Sequence, residues 1–139
     1  MLKISVNSVL SLAGASLIYL FGGWDVALIT LCALMAVDYL TGVFVALKEH
    51  KISSAVGWHG LLKKVTILLI VMLGTLLDTW LGHGSIVRSL VICFYCSNEG
   101  ISVLENTGKL GLPYPAKMKA IFEQMSKNGK DDKNDTRGI

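Results

Sequence analysis

The sequence predicts an all-α integral membrane protein: about four transmembrane helices joined by short loops, followed by a short C-terminal amphipathic helix and a charged tail. Three observations carry this. Of 139 residues, 53% are hydrophobic and only 17% charged, and the mean hydropathy is +0.58. A soluble domain of this length cannot cover so much apolar surface, whereas a bilayer core absorbs it. The apolar residues also fall into runs close to the roughly 20 residues a helix needs to cross ~30 Å of hydrocarbon. Finally, the lysines and arginines alternate with those runs in a way that fixes an orientation.

The first run, residues 4–21, is diluted by Ser5, Asn7, Ser8, Ser11 and Ser16. Ser5, Ser8 and Ser11 share one helical face, suited to packing on a neighbouring helix or to lining water. A cleaved leader is disfavoured, because no small-x-small site follows the run. The second run, 24–47, is long enough to span with tilt, and pairs small residues at four-residue spacing as Cys32/Ala36 and Gly42/Ala46, which lets backbones approach in lipid. The third, 65–82, is the cleanest, and the fourth, 86–104, carries Arg88 and Glu99. Residues 1–107 thus form the transmembrane unit.

Four spans put Lys3, the loop with Lys48, Lys51, Lys63 and Lys64, and everything from Lys109 to Arg137 on one side. The other side receives only Arg88, and the turns there, GGWD (22–25) and GHGS (82–85), are short and contain no lysine. Positively charged loops stay in the cytoplasm, so both termini are expected there. Tyr19, Trp24 and Trp80 then gather near the outer interface, where amphipathic rings are favoured.

Charges within spans are the candidate functional groups, since each costs at least ~2.5 kcal/mol at the bilayer centre. Asp38 stands 14 residues from the outer end of its span and Glu99 stands 13, so both lie roughly 20 Å deep at 1.5 Å per residue. Thr41 and Asn98 add hydrogen-bonding groups to that layer, and Lys63 and Lys64 can extend toward it from the cytoplasmic side. Such a layer either lines a conduit or joins subunits, or else fixes helix packing as a satisfied polar cluster. Asp78, near the outer end of the third run, is expected to face water.

Other patterns carry no chemistry. Cys93-Phe94-Tyr95-Cys96 has the C-x-x-C spacing but lies in a membrane run without a second ligand pair, and His50, His59 and His83 are scattered over loops. Asn134-Asp135-Thr136 is a glycosylation sequon in a cytoplasmic tail. With no nucleotide loop, dinucleotide fingerprint or triad spacing, neither catalysis nor a cofactor is expected.

Residues 108–126 begin with GKLGLPYP, whose glycines and prolines end the fourth helix. Met118, Ile121, Phe122 and Met125 then recur at helical spacing with Lys117, Lys119 and Glu123 around them. This is a short amphipathic helix for the inner leaflet or a neighbouring subunit. Residues 127–139 form a charged, disordered tail in which Asp131, Asp132 and Asp135 offset the lysines, so no nucleic acid is expected there.

The stretch DYLTGVFVALKEHKISSAVGWHGLLKKV (38–65), LLD (76–78) and NEGISVLENTGKLGLPYPAKMK (98–119) resembles the toxin-secretion/phage-lysis holins over roughly residues 24–125. Its specific pieces are Asp-Tyr-x-Thr-Gly, the Ser-Ser-x-x-Gly-x-x-Gly-x-x-x-Lys-Lys loop, and Asn-Glu-x-x-Ser-x-x-Glu-Asn before Gly-x-Pro-x-Pro. Tyr39, Gly42, Lys63, Lys64, Glu105 and Asn106 are motif positions alongside Asp38, Thr41, Asn98 and Glu99. The resemblance implies a non-enzymatic protein that oligomerises in the bacterial cytoplasmic membrane and opens a hole, releasing a phage endolysin or an exported toxin. A proton-coupled transporter or an accessory membrane subunit are the alternatives from other classes. A carboxylate in the first run would favour the transporter, and that run has none.

Overall fold

In a computed structural model, which describes residues 5–131, the chain is five helices. They are α1 (Val6–Leu20), α2 (Val26–Lys48), α3 (Ser54–Leu81), α4 (Ile86–Lys109) and α5 (Ala116–Asp131), with no strand among the described residues. Lys3, the sequon and residues 132–139 of the charged tail lie outside the described residues.

Local chemistry sets the helix ends. Ser5, Asp25 and Ser53 each cap the helix that follows, accepting from the N–H three residues on, at 3.2, 2.9 and 3.2 Å. Gly82 ends α3 in the left-handed conformation, with φ +68°. Three helices extend further than the sequence pattern indicates, the fourth by five residues to Lys109. The third starts at Ser54 rather than 65, because Ser53 supplies its cap, while Gly57, His59, Gly60, Lys63 and Lys64 lower the hydropathy of a stretch that is nevertheless helical. The last continues to Asp131, so residues 127–131, read from the sequence as tail, are helical.

The core joins three helices. Leu28, Leu31 and Met35 of α2, Ile67 and Val71 of α3, and Ile92 and Cys96 of α4 bury their side chains together, flanked by Phe21, Leu34, Leu68 and Tyr95. Gly74 lets α3 and α4 close on each other: a Cβ there would lie 3.2 Å from the Arg88 backbone. The remaining faces of these helices are apolar and exposed, among them Leu40, Phe44, Leu69, Leu73 and Leu90. Helix α1 buries no residue at all. A molecule with large apolar side chains on its outside is solvated by lipid. Three helices, α2, α3 and α4, are long and apolar enough to cross a bilayer, and α1 is a shorter apolar helix.

Candidate functional site

Each of the three core helices brings one ionisable group to each end of the apolar core. On α2 they are Asp25, at its cap, and Asp38; on α3, Asp78 and Lys64; on α4, Arg88 and Glu99. The intervals are 13, 14 and 11 residues, or roughly 20, 21 and 16 Å of helix. The interior is therefore a hydrophobic slab between two charged layers, each with one cation and two carboxylates.

In the inner layer the Lys64 ammonium lies between Asp38 and Glu99 and pairs with both. The side chains are 11%, 15% and 3% exposed, so solvent does little of the stabilising and each ion depends on the others. Asn106 completes the layer. Its amide donates to an Asp38 carboxylate oxygen at 3.2 Å and to the Thr41 hydroxyl at 3.1 Å, while that hydroxyl donates back to the Val37 carbonyl at 2.9 Å. Gly42 lies beside it, where a Cβ would stand in ordinary contact, 3.7 Å from the Asn106 amide nitrogen. A cavity of about 490 Å³ reaches Asp38 and Lys64 from the α2–α3 loop, past Ser53, Gly57 and Lys63. The Tyr39 ring packs along its wall over Gly57 and Gly60.

The outer layer is built around Arg88, buried at 4% exposure. Its guanidinium forks onto both Asp25 oxygens at 2.8 and 3.1 Å, and donates to the carbonyls of Phe21 at 2.6 Å and Gly23 at 3.3 Å. The α1–α2 turn is thereby tied to α4. The fork, helped by the Leu28 N–H, holds the Asp25 carboxyl down to about 2 from its ordinary 3.8. Gly22 must lack a side chain here: at φ +72° a Cβ would come within 2.9 Å of Arg88. Asp78, expected from its position to face water, is instead buried at 2% exposure. The reason lies on α4, whose N-cap Ser85 makes no side-chain hydrogen bond. Asp78 serves in its place, accepting from the Val87 and Arg88 N–H groups at 2.9 and 2.8 Å.

Of the residues singled out by sequence, Asp38, Thr41, Lys64, Glu99 and Asn106 meet in one cluster. Asn98 is half-buried but makes no hydrogen bond to it, and Lys63 and Glu105 are exposed. Lys64 does not stand at the start of its helix, as hydropathy suggested; ten residues of α3 precede it. The Arg88–Asp25 fork and the Asp78 cap escaped sequence reading. One signal for the fork was present, because a lone arginine inside an apolar run requires an anionic partner within reach.

The chain matches the family model described as the bacteriophage holin family over residues 15–127. An uncharacterized 14.9 kDa protein in the nagH 3′ region of Clostridium perfringens is 40% identical over 114 residues, 81% of this chain and 86% of the relative. The uncharacterized YqxH of Bacillus subtilis is 32% identical over 117 residues, 84% and 83% of the two chains. A protein named probable holin, from Bacillus phage phi105, is 31% identical over 99 residues, 70% and 72% of the two chains. No solved structure matches. Holins are pore-forming membrane proteins and not enzymes. This chain, an all-helical membrane protein matched to their model over most of its length, belongs to the bacteriophage holin family.

Proposed function

We propose that the protein oligomerises in the bacterial cytoplasmic membrane and opens a hole through which a cell-wall hydrolase, or in some settings a large toxin, leaves the cell. The observation that carries this reading is the family match across residues 15–127. The geometry agrees with it: an apolar exterior suits accumulation in lipid, and ionisable groups held inside supply a wall able to meet water. In this reading α1 is a fourth span, both termini are cytoplasmic as the lysine distribution requires, and lipid and further copies are the direct partners. In the single protomer Lys64 pairs with both Asp38 and Glu99 and offsets one of their two charges. On a change in packing or membrane potential the helices rotate, the inner layer meets water, and a ring of subunits encloses the hole.

The test is inducible expression in a bacterium, following membrane potential and culture density with and without a co-expressed cytoplasmic cell-wall hydrolase. The expected result is abrupt depolarisation, with lysis only when the hydrolase is present. Continued growth with the potential intact, at confirmed membrane expression, rejects the reading and brings forward a transporter or accessory subunit.

A further inference from the structure

Helix α5 lies antiparallel along α4 in a register fixed by two aromatic rings. The Tyr114 ring approaches Gly108, where a Cβ would lie 3.3 Å from it, and the Phe122 ring sits on Gly100, where a Cβ would lie 2.5–2.7 Å away. Eight residues separate the two glycines and eight the two rings, so a single register places Leu104 opposite Met118 and Cys96 opposite Ser126. The burial of Leu104 and Ser126 agrees. Between these contacts α4 offers a narrow face of Ser97, fully buried, and Gly100.

This arrangement conflicts with a bilayer. Helix α4 is long and apolar enough to span one, and its Gly100 lies beside Glu99 in the inner charged layer. The register carries α5 past that depth, with the exposed Glu123 and Gln124 at the level of Glu99 and Asn98 and the exposed Lys127 a turn further out. Lys119 approaches Glu123 at 3.8 Å but leaves both about half exposed. Hydrocarbon cannot solvate such a face. The turn between the helices can pivot at Gly111, at φ +87°, while the prolines at 113 and 115 keep α4 from continuing into α5.

We propose that α5 is a removable mask: it covers the Ser97–Gly100–Leu104 face of α4 in the single protomer, and when α4 enters a bilayer it moves to the inner membrane surface, so that this face takes the α4 of a second copy. The inference rests on the reading of the chain as an oligomerising membrane protein. The occupant must be a helix, because the face already receives one with a close fit at Gly100. It must be uncharged at this depth, which excludes a second α5. A second α4 presents the same small residues, and in lipid close backbone approach is what drives helix pairing. Its Glu99 is turned away toward Lys64.

The experiment uses the full chain with Cys32, Cys93 and Cys96 replaced by Ala, carrying Leu104→Cys and Met118→Cys, oxidised in detergent and reconstituted into phosphatidylethanolamine–phosphatidylglycerol vesicles. Oxidised protein is expected to remain monomeric by cross-linking and to release entrapped dye about tenfold more slowly than the same sample reduced. Equal assembly of oxidised and reduced protein overturns the mask. Assembly that depends on reduction without dye release by either form upholds the mask and rejects the hole. Gly100 supplies an independent pair of variants. Gly100→Ala displaces Phe122 yet leaves α4 narrow, and is expected to assemble at about tenfold lower protein-to-lipid ratio than the native chain. Gly100→Leu displaces Phe122 and fills the face, and is expected to stay monomeric. Like behaviour of the two variants also overturns the proposal.

Discussion

Replacing Lys64 by Met isolates what the inner layer contributes. Lys64 pairs with Asp38 and Glu99, and their side chains are only 15% and 3% exposed. The methionine keeps most of the side-chain volume but leaves two carboxylates facing each other in a low-dielectric interior. Removing one partner of a buried ion pair costs about 3–5 kcal/mol. At 1.4 kcal/mol per decade, the middle of that range lowers the ratio of folded to unfolded protein roughly a thousandfold. The cost comes from orphaned charge and not from lost attraction, so removing all three charges together should recover most of it. The triple variant Asp38→Asn, Lys64→Met, Glu99→Gln is expected to return to within about 1 kcal/mol of the native chain, since neutral replacement of a buried ionic cluster is often neutral overall. Asn106 retains an acceptor at position 38 in that variant. The assay is reversible unfolding by sodium dodecyl sulfate in mixed micelles, followed by far-ultraviolet circular dichroism. A Lys64→Met variant within about 0.5 kcal/mol of native, the scatter of an unimportant surface change, refutes the reasoning. So does a triple variant as damaged as the single one.

Arg88→Lys keeps the charge but loses the fork onto Asp25 and the reach to Phe21 and Gly23; a loss of about 2 kcal/mol is expected in the same titration, because an ammonium cannot reproduce the planar geometry. Asp78→Ala leaves the Val87 and Arg88 N–H groups without acceptors, costing about 1–3 kcal/mol, and hydrogen exchange at those two amides should accelerate, with Asp78→Asn falling between. Asp25 gives a pH signature: its folded-state pKa, about 2, lies below its ordinary 3.8, so its contribution is complete above about pH 4 and is lost as pH falls through about 2. The stability difference between the native chain and Asp25→Asn should therefore be constant above that window and shrink within it; a difference unchanged down to pH 2 contradicts the Arg88 fork as its cause.

Much of this was legible in the sequence because a bilayer imposes simple rules. Hydropathy located the helices, and counting residues along the second and fourth runs put Asp38 and Glu99 at one level; in the structure both pair with Lys64. Rotation about each helix axis is harder to read, since it follows from packing. Asp78 was expected to face water because it stands near a helix end. Its side chain in fact turns inward to cap a helix whose own N-terminal serine makes no cap bond. The partners of Arg88 include the backbone carbonyls of Phe21 and Gly23, freed by the turn after α1, and no side-chain pattern announces a free carbonyl. Helix α5 was read as amphipathic, but its register on α4 depends on Phe122 meeting Gly100, a fit between residues 22 positions apart.

If the chain opens a hole as proposed, the two charged layers limit how it begins. Pulling Lys64 from Asp38 and Glu99 in a dry core exposes unpaired ions, at several kcal/mol each. The same separation in water costs almost nothing, since an exposed pair is worth only ~0–1 kcal/mol. Water must therefore reach the layer before or as the helices part. A route toward it already exists, because the cavity from the α2–α3 loop extends to Asp38 and Lys64. The slab above has no such access: Leu28, Leu31, Val71 and Ile92 are each 3% exposed or less. Opening then has a direction. In the proposed hole the Asp38–Lys64–Glu99 layer hydrates first, the apolar slab yields last, and the Arg88 fork keeps the far ends of α2 and α4 joined until it does.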